Sequence, residues 1–544
     1  MKIKIVFFGL VISTASLFSQ IPRGGIPMLT KSFRSAAPAY ELNTSFIKDA
    51  ILKIADDEDA IYGKKPLKIA VDQQVKLNPG NSGKWITLQN GYRVWRIEIH
   101  SENAAGMALF FDRFQVNEDV MIFLYDPNFE FVIGGFNHLN NKKTATLQTE
   151  FIPGERIILE LQVPEGMLFG ELSIGSVSHA FVDIFTNEKD GYYGTSGNCE
   201  IDINCPEGAA WQVLKRSVAR VIFKRDGFIT EICTGALINN TSENGMPYFY
   251  TANHCIRRAF EAETAVFYFG YESPECEGTD GVIGMSLSGS EILATSDSLD
   301  FTLLLLSDDP PESYKPYFAG WSALTNPPNS SVTIHHPRGD VKKISRDLDR
   351  ALTEYQEDDP PSWLYTGSTP GAFWRIESWE SGATEAGSSG CPLFNEAKLI
   401  AGNLTGGDAS CLYPYNDYFS KFFMNWDYYP EPERQLKYWL DSLRTGNLFI
   451  EGYDPYDLPD PFKIDRFQVY PNPSKGTVTI YTDTLDLYDA SIRIYNFNGV
   501  QVANYRIETV ESTTFDLSGL ENGFYVIEIK IQGYLERKKI VLVK

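Results

Sequence analysis

A mainly β fold split into three blocks is what the sequence predicts, and three observations lead there. Short runs alternating apolar and polar residues recur along the chain, as in Tyr92-Arg93-Val94-Trp95-Arg96-Ile97-Glu98-Ile99 and Arg156-Ile157-Ile158-Leu159-Glu160-Leu161, and a period of two marks half-buried strands. All seven cysteines lie between Cys199 and Cys411, so neither flank carries one. The stretch Asp454-Pro455-Tyr456-Asp457-Leu458-Pro459-Asp460-Pro461 is a semi-rigid, solvated spacer. At 544 residues the chain is too long for one core.

Residues 1–20 come first: Lys2 and Lys4, an apolar run from Ile5 to Ile12, then small and polar residues to Ser19. That is the pattern of a secretory signal peptide, too short to persist as a membrane anchor. No later stretch is apolar for long enough to span a bilayer. Export permits disulfides, so the cysteine-bearing block is expected to be stapled, with an odd thiol left over. Zinc is disfavoured, since there is no Cys-x-x-Cys pair and the six histidines are scattered; no metal or cofactor is expected. With 48 basic and 71 acidic residues the net charge is -23, which argues against nucleic acid or an anionic membrane as partner.

Residues 21–193 read as a β-sandwich or jelly-roll-like block, with a short helix over Ser45 to Ala55 and no chemistry assigned. The polar, glycine-rich segment from Thr186 to Asn198 is an exposed boundary. Residues 194–453 mix strands such as Ala219–Phe223 and Ala265–Phe269 with loops. A helix is expected near the end of this block, where Leu436, Trp439, Leu440 and Leu443 fall at helical spacing and Gly446 stands at the C-cap. After the linker 454–463, residues 464–544 show strands at Thr477–Tyr481, Ser491–Tyr495, Phe524–Ile531 and Lys539–Val543, with Asn498-Gly499 and Asn522-Gly523 as turns. That is a small all-β sandwich.

The candidate chemistry sits in the middle block. Thr384-Glu385-Ala386-Gly387-Ser388-Ser389-Gly390-Cys391-Pro392 places serine between glycines in a sharp turn, a pattern that alone is also that of a flexible linker. Thr251-Ala252-Asn253-His254-Cys255 ends a strand-like run, and a disulfide from Cys233 to Cys255 would pin His254 at a strand end. Asp300 opens the apolar run Phe301-Thr302-Leu303-Leu304-Leu305-Leu306, where a carboxylate needs a partner; Asp297 is the competing acid in a more polar setting. A serine hydroxyl becomes a nucleophile when an imidazole takes its proton, and the imidazole needs a carboxylate on its other nitrogen.

Several separate stretches together resemble a known family: Ser196-Gly197-Asn198-Cys199-Glu200-Ile201-Asp202-Ile203-Asn204-Cys205-Pro206-Glu207-Gly208, Cys233-Thr234-Gly235, the His254 segment, Asp300-Phe301-Thr302-Leu303-Leu304, Ile334-His335-His336-Pro337 and Gly387-Ser388-Ser389-Gly390. Over about Gly194 to Tyr453 the chain is similar to the trypsin-fold serine proteases, and within them to the bacterial lysyl endopeptidases. The resemblance implies a trypsin-like double β-barrel of two packed six-stranded barrels with the site in the cleft between them. It implies His254 as general base, Asp300 as its orienting acid, Ser389 as nucleophile, and the amides of Gly387 and Ser389 as oxyanion hole. The implied disulfides are Cys199 with Cys411, Cys205 with Cys276 and Cys233 with Cys255, leaving Cys391 as a buried, inert thiol.

For substrate binding, Ala383 stands where trypsin-like enzymes carry a pocket aspartate, and the resemblance gives that charge to Asp417 instead, beside Gly406 and Gly407. Thr405 occupies the position of a pocket histidine in the lysyl enzymes. The pocket tryptophan has Trp363 as nearest candidate, with Thr366 at the gapless position. Ser388 replaces the aspartate that captures a new N-terminus in trypsinogen-type activation, so activation by that ion pair is not expected. Residues 21–193 would then be a β-rich propeptide, with Lys189 as a self-processing site.

Val469-Tyr470-Pro471-Asn472-Pro473-Ser474-Lys475-Gly476, Ile494-Tyr495-Asn496-Phe497-Asn498-Gly499, Leu517-Ser518-Gly519-Leu520-Glu521-Asn522-Gly523-Phe524-Tyr525 and the closing Lys538-Lys539-Ile540-Val541-Leu542-Val543-Lys544 resemble the C-terminal sorting domain of type IX secretion cargo. The implied function is a secreted or surface serine endopeptidase that cuts protein or peptide substrates after lysine, or basic residues generally, and engages the type IX machinery. The opposing reading is a non-catalytic surface adhesin on a degenerate protease fold.

Overall fold

The computed structural model describes residues 25–29, 39–55, 66–183, 196–278, 281, 285–353, 368–456, 467–482, 490–496, 501–507, 512–531 and 534–544. The signal segment, the boundary that holds Lys189, both Trp363 and Thr366, and most of the linker lie outside the described residues.

Strands dominate, as the alternation requires. The N-terminal block opens with the helix Thr44–Ala55, one residue from its expected start. A six-stranded sheet follows, centred on Tyr92–His100 and Arg156–Pro164 in antiparallel register. Its inner face packs Trp95, Ile97, Leu159 and Leu161 into a core shared with Phe111, Phe114 and Val177. Those last residues belong to a second sheet, which carries Leu67–Leu77, Gly106–Val116 and Gly170–Ala180.

That second sheet does not stop at the block boundary. Leu67–Leu77 pairs antiparallel with Ile229–Leu237 of the middle block, so one twelve-stranded sheet contains strands of both. Alternation within each strand gave no warning of this seam, because pairing partners far apart in sequence leave no local signature.

In the middle block, Val218–Lys224, Ile229–Leu237, Tyr248–Thr251, Phe301–Leu306, Ser290–Ser296, Val266–Phe269 and Ser286–Ser288 wrap the first barrel-like unit. A ten-stranded sheet forms the second, with Ser331–His335, Lys343–Asp347, Pro392–Asn395, Ile400–Gly407, Tyr415–Lys421 and Phe373–Ser378 as its long members. Tyr250, Leu303, Trp321, Ile334, Phe394 and Phe422 fill one core between the two.

The expected late helix is a correction. Only Lys437–Leu440 is helical; Leu436 and Leu440 are buried while Leu443 is exposed. Asp441 ends the turn by accepting from Thr445 N at 2.8 Å and Gly446 N at 2.9 Å, and such side-chain bonds to backbone compete with helix continuation. The residues that do pack as a helix beside the core are Phe422–Asp427, whose Phe422 and Trp426 stack against Trp321 at 5.7 and 4.4 Å.

The C-terminal block has a three-stranded and a four-stranded sheet enclosing Phe467, Val478, Ile492, Phe515, Ile527 and Ile540. Strands occur at Thr477–Tyr481, Ser491–Asn496, Gly523–Ile531 and Tyr534–Leu542, joined by Gln468–Tyr470, Gln501–Arg506 and Ser512–Asp516.

Trp321 is wholly buried and its Nε1 donates to Asn239 O at 2.9 Å. Trp321→Ala should therefore lower stability by about 3–5 kcal/mol, seen as a lower urea midpoint for the middle block's unfolding transition.

Candidate active site

The first unit supplies an imidazole and a carboxylate. His254 follows the strand Tyr248–Thr251, and the disulfide Cys233–Cys255 ties its neighbour to the strand Ile229–Leu237. Arg225 holds the segment from the other side: its Nη2 donates to His254 O at 2.7 Å while it pairs with Glu231 and Glu261. His254 Nδ1 lies 2.9 Å from Asp300 Oδ2, and the His254 backbone N donates to Asp300 Oδ1 at 2.9 Å. A carboxylate on Nδ1 leaves the lone pair on Nε2, the nitrogen that a general base needs.

Asp300 sits in the left-handed region at φ +54°, a conformation that costs energy for a residue other than glycine and persists where surroundings over-determine it. Here Asn403, from the second unit, donates its Nδ2 to Asp300 O at 2.9 Å, and its Oδ1 accepts from Tyr250 OH at 2.6 Å. Asn403 thus joins the two units at the acid. Sequence reasoning missed it, since an asparagine inside an apolar strand gives no sign of its partner. Asp297 is spent locally, accepting from Ser298 N.

The second unit supplies the serine turn. Ser388 N donates to Glu385 O, Gly390 N to Leu404 O and Cys391 N to Ser388 O. The amides of Gly387 and Ser389 donate to nothing among the described residues. Arg338 N donates to Ala386 O at 2.6 Å, and because N–H and C=O point oppositely across a trans peptide, this bond turns the Gly387 N–H away from Arg338. Gly387 has φ +95°, and a Cβ there would stand 2.9 Å from His336 O, so glycine is required twice over. A Cβ at Gly390 would meet Thr251 Oγ1, Thr234 O and Ala252 N at 2.2 to 2.9 Å; this close approach sets the turn against the segment that leads to His254. Ser389 is buried, and its Oγ has no hydrogen-bond partner among the described residues.

Ser388 is held from beneath by His335, which the sequence singled out only within a motif. His335 Nδ1 lies 2.8 Å from Ser388 Oγ and Nε2 3.0 Å from Ser345 Oγ. Ser345 Oγ donates to Ala383 O, so it accepts from Nε2–H, and Nδ1 is left to accept from Ser388. Ser388 in turn accepts from Glu385 N. Gly197 N donates to Glu385 Oε2 at 2.8 Å and Ser196 Oγ to Asp340 Oδ2 at 2.6 Å. The start of the middle block is therefore attached to the turn through the Gly197 amide on Glu385, and to neighbouring Asp340 through the Ser196 hydroxyl.

Asp417 is fully buried on Tyr415–Lys421, between Ile376 and Gly407 in register. Its Oδ2 accepts from Trp379 Nε1 and from Thr384 Oγ1, each at 2.7 Å. A Cβ on Gly407 would stand 2.4 Å from Asp417 Oδ1, so only glycine fits against the carboxylate there. Gly406 pairs with Tyr418, and the Thr405 hydroxyl is buried without a partner among the described residues. Trp379 and Thr384 were not picked out as pocket residues, although Thr384 opens the serine stretch.

The cysteines form Cys199–Cys411, Cys205–Cys276 and Cys233–Cys255, and Cys391 is a buried free thiol that accepts from Thr333 Oγ1 at 2.9 Å. Two groupings of potential metal ligands consist largely of disulfide sulfurs, which offer no thiolate. The third, Asp347, Asp349 and Glu380, is a partly exposed acidic group.

Two β-rich units with a His–Asp pair on one and a glycine-flanked serine turn on the other define the trypsin-like class of fold. Residues 193–420 match the family model described as lysyl endopeptidase, C-terminal domain, and residues 468–544 match the model described as secretion system C-terminal sorting domain. A lysyl endopeptidase of Pseudomonas aeruginosa is 33% identical over 292 residues, 50% of this chain and 60% of that protein. The chain thus spans about three fifths of the length of this relative. Among solved structures, a Glu endopeptidase in complex with MPD is similar at TM-score 0.26 and 15% identity, covering 38% of this chain and 85% of that one. The structure titled GrC has TM-score 0.27 and 15% identity, covering 38% and 89%.

His336, next to the turn, is fully buried, and burial together with nearby Lys342 and Arg220 pushes its pKa well below the ordinary value. The folded protein keeps this ring neutral, whereas the unfolded chain protonates near pH 6.5. The unfolded state then binds the extra proton, so stability is expected to fall as pH drops below about 6.5. Melting temperatures of wild type and His336→Gln between pH 8 and 5 should show a steeper acid loss in the wild type.

Proposed function

We propose that this protein is a secreted serine endopeptidase that cleaves after lysine, or basic residues generally, through an acyl-enzyme. The observation that carries the reading is the serine turn, where the Gly387 and Ser389 amides and the Ser389 hydroxyl have no partner among the described residues and Gly390 approaches the Thr251–Ala252 segment that leads to the paired His254 and Asp300. Unpaired donors in a buried site are costly unless a ligand uses them. An acyl carbonyl whose oxygen develops negative charge would satisfy both amides at once.

In this mechanism His254 Nε2 takes the proton of Ser389 as Oγ attacks the scissile carbonyl. Asp300 stabilises the imidazolium, and the same proton passes to the leaving amine. Water then repeats the sequence on the ester. His254 Nε2 lies 3.8 Å from Cys255 Sγ, and the mechanism requires it to reach Ser389 Oγ, a contact of the kind that tightens in the substrate complex.

Asp417 is the proposed recognition group for a P1 ammonium. Trp379 and Thr384 fix the carboxylate by Oδ2, and Gly407, which admits no Cβ, lies against Oδ1. A charge-assisted bond in such a buried place favours lysine or arginine strongly over neutral residues. Ala383, buried behind Ser345, carries no charge to compete. The sorting domain at 468–544 is proposed to deliver the enzyme through the type IX machinery to the cell surface or medium, a setting consistent with the three disulfides.

Ser389→Ala should abolish hydrolysis of Lys-X and Arg-X peptide esters by at least about 10³-fold, with folding unchanged by circular dichroism; retained activity rejects the nucleophile assignment. Asp417→Asn should lower kcat/KM on lysine substrates by about 10²-fold or more, and an unchanged preference for basic P1 would remove Asp417 from the pocket. His335→Ala should act through the turn, lowering kcat about tenfold or more with KM little altered; a change confined to KM would contradict that placement.

A further inference from the structure

Away from the cleft, the second unit holds an acidic group that the endopeptidase mechanism does not use. Asp347 ends the strand Lys343–Asp347, Asp349 lies in the loop that follows, and Glu380 comes from the segment after Phe373–Ser378. Carboxylate oxygens of the three lie within 4.8 Å of one another. Two oxygens that share one calcium ion, each 2.3–2.6 Å from it, stand no more than about 5 Å apart, so the spacing suits a shared ion.

The backbone holds these acids together. Asp349 N donates to Asp347 Oδ1 at 2.9 Å and Leu348 N to Glu380 Oε2 at 2.7 Å. Glu380 N donates to Arg346 O at 3.0 Å and Arg346 N to Ser381 O at 2.9 Å, which ties the end of the strand to the segment that carries Glu380. Asp347 Oδ2 and Glu380 Oε1 are left without a hydrogen-bond partner among the described residues. The charges acting on Asp347 are all acidic: burial, together with Glu380, Asp349 and Glu377, pushes its pKa up to about 7. Arg375, on the neighbouring strand, pairs with Glu377 at 3.4 Å instead.

A separate observation comes from the facing strand. Ser331 stands directly opposite Asp347 in antiparallel register, and residues so paired project to the same face. Val332 and Ile334, alternating to the other face, fill the core between the two units. Ser331 is 1% exposed, and its Oγ has no hydrogen-bond partner among the described residues. Asn395, its other neighbour in register, is occupied elsewhere, its Oδ1 accepting from Ala397 N and Leu399 N at 3.0 Å each. A hydroxyl cut off from both water and protein partners is costly. A cation held at Asp347 would give its lone pairs a use.

We propose that Asp347, Asp349 and Glu380 bind a calcium ion, with the Ser331 hydroxyl as a neutral oxygen beside them and water completing the shell. Oxygen donors with three negative charges suit a hard cation; the cysteine and histidine spacing that argues against zinc does not bear on such a site. Calcium takes six to eight oxygens in flexible geometry, whereas magnesium demands a near-ideal octahedron, and carboxylates already fixed by backbone amides favour the more tolerant ion. The ion would fasten the end of Lys343–Asp347 to the segment whose Trp379 and Thr384 donate to Asp417. It would thus brace one wall of the proposed recognition pocket, a consequence that rests on the reading of Asp417 given above; the binding of the ion does not.

The test uses the full chain carrying Ser389→Ala, which prevents self-digestion, with terbium as a luminescent stand-in for calcium. Trp379 is buried and adjoins Glu380 in the chain, so excitation of tryptophan should sensitise terbium emission. Calcium should displace that emission at about 10⁻⁴–10⁻³ M, the range of extracellular calcium modules. Glu380→Gln keeps an oxygen for Leu348 N, and Asp349→Asn keeps the shape of its side chain. Each should weaken calcium at least about tenfold with the circular dichroism spectrum unchanged, because affinity follows ligand charge. Ser331→Ala should weaken it about fivefold.

Glu377→Gln is the control, since it removes a nearby charge that is not a proposed ligand. It should change the affinity by less than about threefold, as for a screened surface charge. Calcium should also raise the melting temperature of the parent chain and not that of the Glu380→Gln chain. Absence of calcium-displaceable emission, or a melting shift kept in full by Glu380→Gln, overturns the proposal. Equal losses with Glu377→Gln and Glu380→Gln overturn it too, since they would mark a diffuse acidic patch. None of these readouts involves hydrolysis, so failure of the endopeptidase reading and failure of the ion site are told apart.

Discussion

The hydrogen bond from Thr234 N to Ser389 O is the contact on which much of the site depends. It fixes the serine turn of the second unit to a strand edge of the first, and the Thr234 hydroxyl reinforces it by donating to Gly387 O at 2.9 Å. Within the turn, Arg338 N holds the Ala386 carbonyl and Cys391 N the Ser388 carbonyl, so the amides of Gly387 and Ser389 across those peptides point away from these partners. The cleft is thus organised by backbone geometry, and its side chains are placed on a frame already set. Asn403 performs the reciprocal task from the second unit by holding Asp300.

Preorganisation of this kind explains how the turn is assembled in a chain whose N-terminal block is still attached. Within the turn, a hydrogen-bonded chain runs from Glu385 N through Ser388 to His335 and on to Ser345 and Ala383, with the Glu200 carboxylate 3.7 Å from His335 Nε2. Arg338 braces the same turn by pairing with Glu385 at 3.1 Å.

Much of the site was legible in the sequence because its residues sit in short local patterns. Glycines flanking a serine, a histidine beside a cysteine and an acid opening an apolar run each reflect a nearby backbone requirement. The strands Thr477–Tyr481 and Arg156–Leu161 were legible for the same reason, their alternation being local. Asn403, Trp379 and His335 were harder, since their meaning lies in partners between 10 and 153 residues away. The expected helix through Leu443 failed because helical spacing of leucines was read without weighing Asp441, whose side chain captures the backbone beyond it. The seam between Leu67–Leu77 and Ile229–Leu237 left no local trace at all, as strand alternation reports which face is buried and never which edge is paired.

Ser388 and Ser389 are adjacent, and both are buried, yet their hydroxyls differ: that of Ser388 is bonded to His335, and that of Ser389 has no partner among the described residues. The most direct measurement is the reaction of the protein with a fluorophosphonate, followed by peptide mapping of the adduct. One equivalent incorporated on Ser389, with none on Ser388 and none after Ser389→Ala, is the expected result. An adduct on Ser388, or no stoichiometric labelling of a chain that is folded and freed of its N-terminal block, would contradict the central assignment.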